Sequence, residues 1–132
     1  MTRLFLDTSV IVALLRGRDL AETDGIIGAV RGGDACYNGI VLTELLSGVR
    51  NKKMERQVAK ITLALGFLPL EYEDFRSAGE LRSRLLSEEL RMSTSDALIA
   101  VHVLRHNLQL LTLDTFFLKL PVELGLRIEI PG

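Results

Sequence analysis

Four acidic residues stand where a charge is out of keeping with its surroundings. Asp7 separates two apolar runs, residues 4–6 and 10–15, and is followed at once by two hydroxyls, Thr8 and Ser9. Glu44 lies within "NGIVLTELLSG", Asp96 opens the apolar stretch "DALIAVHVL", and Asp114 follows "LQLLTL". A lone carboxylate in apolar surroundings is costly unless it is paired or bound to a cation. Several together repel one another, so some must take protons or share a metal. Carboxylate oxygens suit the hard cations Mg²⁺ and Mn²⁺. One or two such ions could activate a water and stabilise the charge of a phosphodiester transition state.

Each acid also has a plainer reading. Asp7 and Asp96 could each cap a helix, Asp114 could form an Asx-turn, and Glu44 could favour the positive end of its helix. What favours a shared site is their common position, which depends on the elements around them.

Residues 3–6 read as a short buried strand. Asp7, Thr8 or Ser9 can cap a helix that starts near Val10 and ends at Arg16 and Gly17. A second helix spans about 24–31, and Gly32-Gly33 stops it. Residues 35–37 form a candidate second strand. Residues 43–49 begin helically, which places Glu44 in a first turn, and 54–65 continue with Val58, Ile61 and Leu65 at helical spacing. Residues 67–70 are a short strand candidate that ends at Pro69. Phe75, Ala78, Leu81 and Leu85 give a helix from Asp74 to about Leu90. Residues 96–105 are apolar nearly all round, as in a central buried helix. Residues 108–113 and 127–130 are the last strands. Strands separated by helices imply parallel pairing, hence an α/β fold: a three-layer α/β/α sandwich on a mainly parallel sheet. Open sheets of this kind bind ligands beyond the carboxyl ends of their strands. Asp7, Glu44, Asp96 and Asp114 all fall at that edge.

The whole chain sets looser bounds. Its 132 residues suit one domain over 1–132, and 48% hydrophobic residues suffice for a core. The net charge of -1 favours no bulk attraction to nucleic acid, so an RNA binder would need local basic patches. Cys36 is the only cysteine, which excludes an internal disulfide and fits a reducing cytoplasm. No apolar run approaches the roughly 20 residues that span a bilayer, so no membrane role is expected. Arg3 and the run after it resemble the start of a signal peptide, but Asp7 interrupts the apolar stretch and no clean cleavage site follows.

Four motifs in order carry a family resemblance over nearly the whole chain. "LFLDTSVIVALL", "TELLSG", "STSDALIA" and "LLTLDTFF" resemble the four acidic motifs of the PIN domain, specifically the small VapC-type toxins. The resemblance implies a metal-dependent endoribonuclease, the toxin of a type II toxin–antitoxin pair. Mg²⁺ or Mn²⁺ would be held by Asp7, Asp96 and Glu44, with Asp114 as fourth catalytic acid. Thr8, Ser9 and Ser95 would orient carboxylates or waters from behind. Partners would be an RNA substrate, a cognate antitoxin and a second copy in a homodimer. One departure stands out: family members often carry a second acid in the fourth motif, and here Phe116 and Phe117 occupy that place.

Other features are weaker. His102 and His106 have the i, i+4 spacing of a zinc pair, but the Glu of a metalloprotease motif is absent, and packed or surface histidines are expected. Cys36 is expected in the core. "RGGD" lacks the ending of a phosphate loop, so its glycines are turn residues. Arg50, Lys52, Lys53 and Arg56 form a basic run near Glu44, either a solvated face or an RNA-backbone patch. Two other functions remain in view. A phospho-accepting receiver-like switch would need a Lys after its last strand, where Asp114 stands, and a related aspartyl-phosphate phosphatase would need an Asp where Ser9 stands. An inactive PIN-like interaction module would follow from the missing fourth-motif acid.

Overall fold

A computed structural model describes residues 3–132. Five short strands, β1 (Leu4–Leu6), β2 (Ala35–Tyr37), β3 (Gly66–Phe67), β4 (Gln109–Leu111) and β5 (Arg127–Glu129), form one sheet in the order β3-β2-β1-β4-β5. Every pair is parallel, with Phe5 opposite Cys36 on one side and Leu110 on the other. Six helices connect them: α1 (Thr8–Leu15), α2 (Thr23–Arg31), α3 (Gly39–Ser47), α4 (Lys52–Ala64), α5 (Tyr72–Ser87) and α6 (Thr94–Arg105). The chain works outward from β1 to β3, then returns across the sheet to β4. Right-handed crossovers therefore place α1 to α4 on one face and α5 with α6 on the other, giving the expected α/β/α layers. The reversal of strand order falls between β1 and β4, the place where such sheets open a ligand crevice.

Burial on both faces explains the apolar strands. Phe5, Leu6, Cys36, Leu110 and Leu111 are all buried, and residues 97–103 of α6 are buried without a break. Cys36 is core, as expected. Its thiol donates to the Leu4 carbonyl (3.4 Å), and burial pushes its pKa up to about 11, which leaves it an inert thiol. Gly17 (φ 71) and Gly33 (φ 78) take the left-handed backbone at the ends of α1 and α2. No helix among the described residues is long and apolar enough to cross a membrane.

Several boundaries differ from the sequence expectation, for local reasons. Helix α3 begins at Gly39, four residues early, because Asn38 caps it by accepting from Ile40 N (3.1 Å) and Val41 N (3.2 Å). Glu44 therefore lies in the second turn, out of reach of the helix's positive end. Asn51 starts α4 as a separate helix by accepting from Met54 N (2.9 Å). Strand β3 is cut to two residues, with Pro69 soon after. Asp74 is not the first residue of α5. Its Oδ2 accepts from Glu71 N (2.8 Å), so the helix begins at Tyr72.

Asp74 also joins the two helices of the outer layer. It is 1% exposed and accepts from Arg105 Nε and Nη2, both at 2.7 Å. Burial pushes its carboxyl pKa up, but the Arg105 guanidinium and the Glu71 amide outweigh that and hold it below the ordinary value. The bond ties the start of α5 to the end of α6, so the two helices run antiparallel.

Candidate active site at the carboxyl edge of the sheet

Asp7 leaves β1 where the strand order reverses. Its amide donates to the Leu111 carbonyl of β4 (3.0 Å), and its side chain caps α1 by accepting from Thr8 N at Oδ1 (2.9 Å). Two hydroxyls hold the other oxygen: Ser9 Oγ at 3.1 Å and Thr112 Oγ1 at 2.7 Å both donate to Oδ2. Asp7 is 8% exposed and Thr112 is fully buried. Thr112 Oγ1 in turn accepts from Asp114 N (3.0 Å), and Ser9 Oγ accepts from Leu113 N (3.0 Å). The turn after β4 is thus pinned to the turn after β1 through one carboxylate and two hydroxyls.

Glu44 enters from α3. Thr8 Oγ1 donates to its Oε1 at 2.9 Å, so the first residue of α1 orients the acid of α3. Asp96 enters from α6, in the first turn and not at its cap. Ser93 is the cap, accepting from Asp96 N (3.1 Å). Asp114 caps a short 3₁₀ turn over Thr115–Lys119, its Oδ1 accepting from Phe116 N (2.9 Å). The plainer readings, Asp7 as a helix cap and Asp114 as an Asx-turn residue, therefore hold alongside their place at the shared edge, while Asp96 is not the cap of its helix.

The charges of the other three acids reach Asp96. The Asp96 pKa is raised, first by burial and then by the negative charges of Asp114, Asp7 and Glu44, with the Ser93 hydroxyl opposing. Each acid keeps at least one uncommitted lone pair, because a carboxylate has about four acceptor positions. The donor set is all oxygen, which fits Mg²⁺ or Mn²⁺ and not the soft metals. No group of three or more His, Cys, Asp or Glu side chains among the described residues stands close enough to hold an ion as it is.

The remaining sequence expectations divide. Thr8 bonds to Glu44 and Ser9 to Asp7. Ser95 is exposed and makes no hydrogen bond among the described residues; Ser93 and Thr112 provide the hydroxyls instead. Thr112 is readable in the sequence only as a hydroxyl two residues before an acid. The basic run lies around the α3–α4 junction. Arg50 Nη1 donates to the carbonyls of Ser47 (2.8 Å) and Val49 (3.0 Å), and Lys52 pairs with Glu55 (3.4 Å), while Lys53 and Arg56 are exposed to solvent.

Sequence reasoning did not find Asn38. Besides capping α3, its Nδ2 faces Nδ1 of the fully buried His102 at 3.0 Å, so the helix of Glu44 is tied to the helix of Asp96. An amide donor there requires Nδ1 to accept, which puts the proton of a neutral imidazole on Nε2. Burial, followed by the opposing influence of Asp74 and the smaller effects of His106 and Arg105, leaves the His102 pKa below its ordinary value and favours that neutral ring. His102 and His106 meet edge to face at 5.0 Å, as packed histidines.

Comparison with known proteins agrees with this fold. The PIN domain family model matches residues 4–123. Ribonuclease VapC of Rickettsia bellii is 31% identical over 120 residues, 85% of each chain. Ribonuclease VapC10 of Mycobacterium tuberculosis is 26% identical over 129 residues, 98% of this chain and 96% of that one. Among solved structures, VapBC2 from Rickettsia felis bound to a promoter DNA fragment superposes with a TM-score of 0.77 at 25% identity, over 96% of both chains. DNA-bound VapBC from Salmonella typhimurium gives 0.80 at 22% identity over 98% of both, which supports the fold. The all-parallel sheet and these matches agree: the chain belongs to the PIN domain family, among relatives that are VapC ribonucleases.

Proposed function

We propose that this protein is a divalent-cation-dependent endoribonuclease, the toxin of a VapBC-type pair. The observation that carries this reading is the convergence of acids on one sheet edge: Thr112 joins Asp7 to the turn of Asp114, Thr8 bonds to Glu44, and Asp96 lies in the first turn of α6, where the charges of the other three reach it. Asp7, Asp96 and Glu44 would hold Mg²⁺ or Mn²⁺, with Asp114 at the fourth position. Such an ion supplies Lewis-acid stabilisation of the charge that develops on a phosphodiester. Thr112 and Ser9 fix the Asp7 carboxylate, and Thr8 fixes Glu44, so the acids are oriented before substrate arrives. Glu44 Oε2 has no hydrogen-bond partner among the described residues and could accept a proton from an attacking water.

An antitoxin partner is supported by the VapBC complexes among the structural neighbours. A groove of about 700 Å³ between α1, α2 and α4 offers a surface for it. Leu14, Ile27, Val30 and Ile61 line it, with Arg18 and Lys60 beside them, a match for a segment with one apolar face and acidic flanks. Homodimerisation and action in the cytoplasm complete the reading.

Purified protein is incubated with a structured RNA in Mn²⁺ or Mg²⁺, alone, with EDTA, and as Asp7→Asn. Cleavage lost in both controls is the expected result. Cleavage that persists in both belongs to a contaminant and removes the basis for the reading. No cleavage in any arm, with no cation-induced rise in melting temperature, would leave a PIN-like interaction module instead.

A further inference from the structure

A second polar feature lies beside the acidic edge. A cavity of about 290 Å³ opens between the later half of α5 and the turn that leads into α6, lined by Gly79, Arg82, Ser83 and Leu86 with Arg91 and Met92. Because Arg105 ties the end of α6 to the start of α5, the later half of α5 lies beside the start of α6. The cavity is therefore at the sheet edge that carries Asp96, and Arg91 is five residues before that acid.

Its charge is one-sided. No acidic side chain among the described residues lines it. Arg82 Nε donates to the Met92 carbonyl (2.9 Å), which anchors the guanidinium on the approach to α6 and leaves its two amino groups uncommitted among the described residues. Arg91 is exposed and has no hydrogen bond or ion pair among the described residues. Arg84, on the same helix as Arg82, is different: it is engaged by Glu88 (3.7 Å) and Glu123 (2.9 Å). The Arg91 guanidinium and the two uncommitted amino groups of Arg82 do not neutralise the nearby acids, since neither residue bonds to any of the four. Both residues suit an anion that must lie next to those acids. Guanidinium groups match phosphate oxygens by paired N–H donors, and the positive end of α6 adds to the local field. Leu86, 54% exposed, gives the cavity an apolar wall against which a ribose or base can rest.

We propose that Arg82 and Arg91 form a backbone-phosphate subsite for the RNA strand, next to the scissile phosphodiester and separate from the metal-binding acids. This rests on the ribonuclease reading above. The subsite positions the strand without reading its sequence. Arg82 and Arg91 are binding residues and take no part in bond cleavage.

Binding is measured by fluorescence anisotropy of a labelled single-stranded RNA, on protein carrying Asp7→Asn to prevent cleavage, across a salt series. Arg91→Ala is expected to weaken binding about five-fold, and Arg82→Ala with Arg91→Ala more than ten-fold. The log–log salt slope should fall by about 0.7 for each phosphate that is no longer neutralised on a single strand. In the active protein the same changes raise KM and leave kcat within two-fold. Arg91 holds no structural bond, so its effect cannot come from misfolding, and an unchanged melting curve confirms this. If unmodified protein cleaves RNA and the double variant keeps its KM, Kd and salt slope, the subsite is wrong and the nuclease reading stands. If unmodified protein neither binds nor cleaves RNA, both fail.

Discussion

Thr112 offers the sharpest test of how Asp7 is held. The residue is fully buried, donates to Asp7 Oδ2 at 2.7 Å and accepts from Asp114 N at 3.0 Å. Thr112→Val keeps the shape and removes only the hydroxyl. A hydrogen bond to a charged group contributes about 1.5–3 kcal/mol, and the Asp114 amide loses its acceptor as well, so a loss of roughly 2 kcal/mol is a conservative expectation. For 132 residues the unfolding entropy is about 0.28 kcal/mol/K, which converts that loss to a fall of ~7 °C in Tm. Removing a group that orients a metal-binding carboxylate lowers activity by about 10–100-fold. Thermal melting and RNA cleavage are measured on the wild type, Thr112→Val and Thr112→Ser. Serine keeps the hydroxyl and should recover most of both losses. A valine variant that melts within about 1 °C of wild type and cleaves within two-fold of it would show that Thr112 does not orient Asp7.

Asp96→Asn should raise Tm at neutral pH without added metal while abolishing cleavage. The raised pKa of Asp96 means that its contribution to stability is fullest below the ordinary aspartate pKa and is lost as pH rises through the folded value, so the variant's advantage should shrink on acidification. Asn38→Ala removes the α3 cap and leaves His102 Nδ1 unpaired in the core. A cost of about 2 kcal/mol follows, read as a Tm loss of ~7 °C with a weaker response to Mn²⁺. Asp74→Asn breaks the charge pair to Arg105 and should lower Tm at pH 7, by less than the loss of a fully buried pair because Arg105 is one-third exposed. The folded pKa of Asp74 is lowered, so its stabilisation exists above the ordinary pKa and disappears as pH falls through the folded one; the melting curves of the two proteins should converge in acid.

The sheet edge is legible in the sequence because burial and charge are both recorded there. A strand buried on two faces is a short apolar run, and an acid directly after it is conspicuous. Asp7 and Asp114 can be placed in this way, and Asp96 by the apolar buried helix that it opens. Glu44 is marked by its motif but not by its turn, because the cap at Asn38 sits before a glycine that reads as a loop. Asn38 itself is invisible for a different reason: its second partner, His102, is 64 residues away, and no local pattern records such a contact. Ser95 stands next to Asp96 and draws the eye as its hydroxyl, although a cap three residues before an acid favours Ser93. Nothing in the one-dimensional pattern joins Arg82 to Met92. That pairing depends on the antiparallel packing of α5 and α6, which Asp74 and Arg105 fix from the far end of the helices.

Whether the acids of this edge act together on RNA through a divalent cation is tested most directly by single-turnover cleavage of one labelled RNA across a Mn²⁺ titration. Wild type is compared with Asp7→Asn, Glu44→Gln, Asp96→Asn and Asp114→Asn. Saturable Mn²⁺ dependence in the wild type is expected. It should vanish in Asp7→Asn and Asp96→Asn, fall steeply in Glu44→Gln, and fall least in Asp114→Asn. Cleavage that is independent of Mn²⁺, or equal in wild type and Asp96→Asn, would contradict a shared metal site.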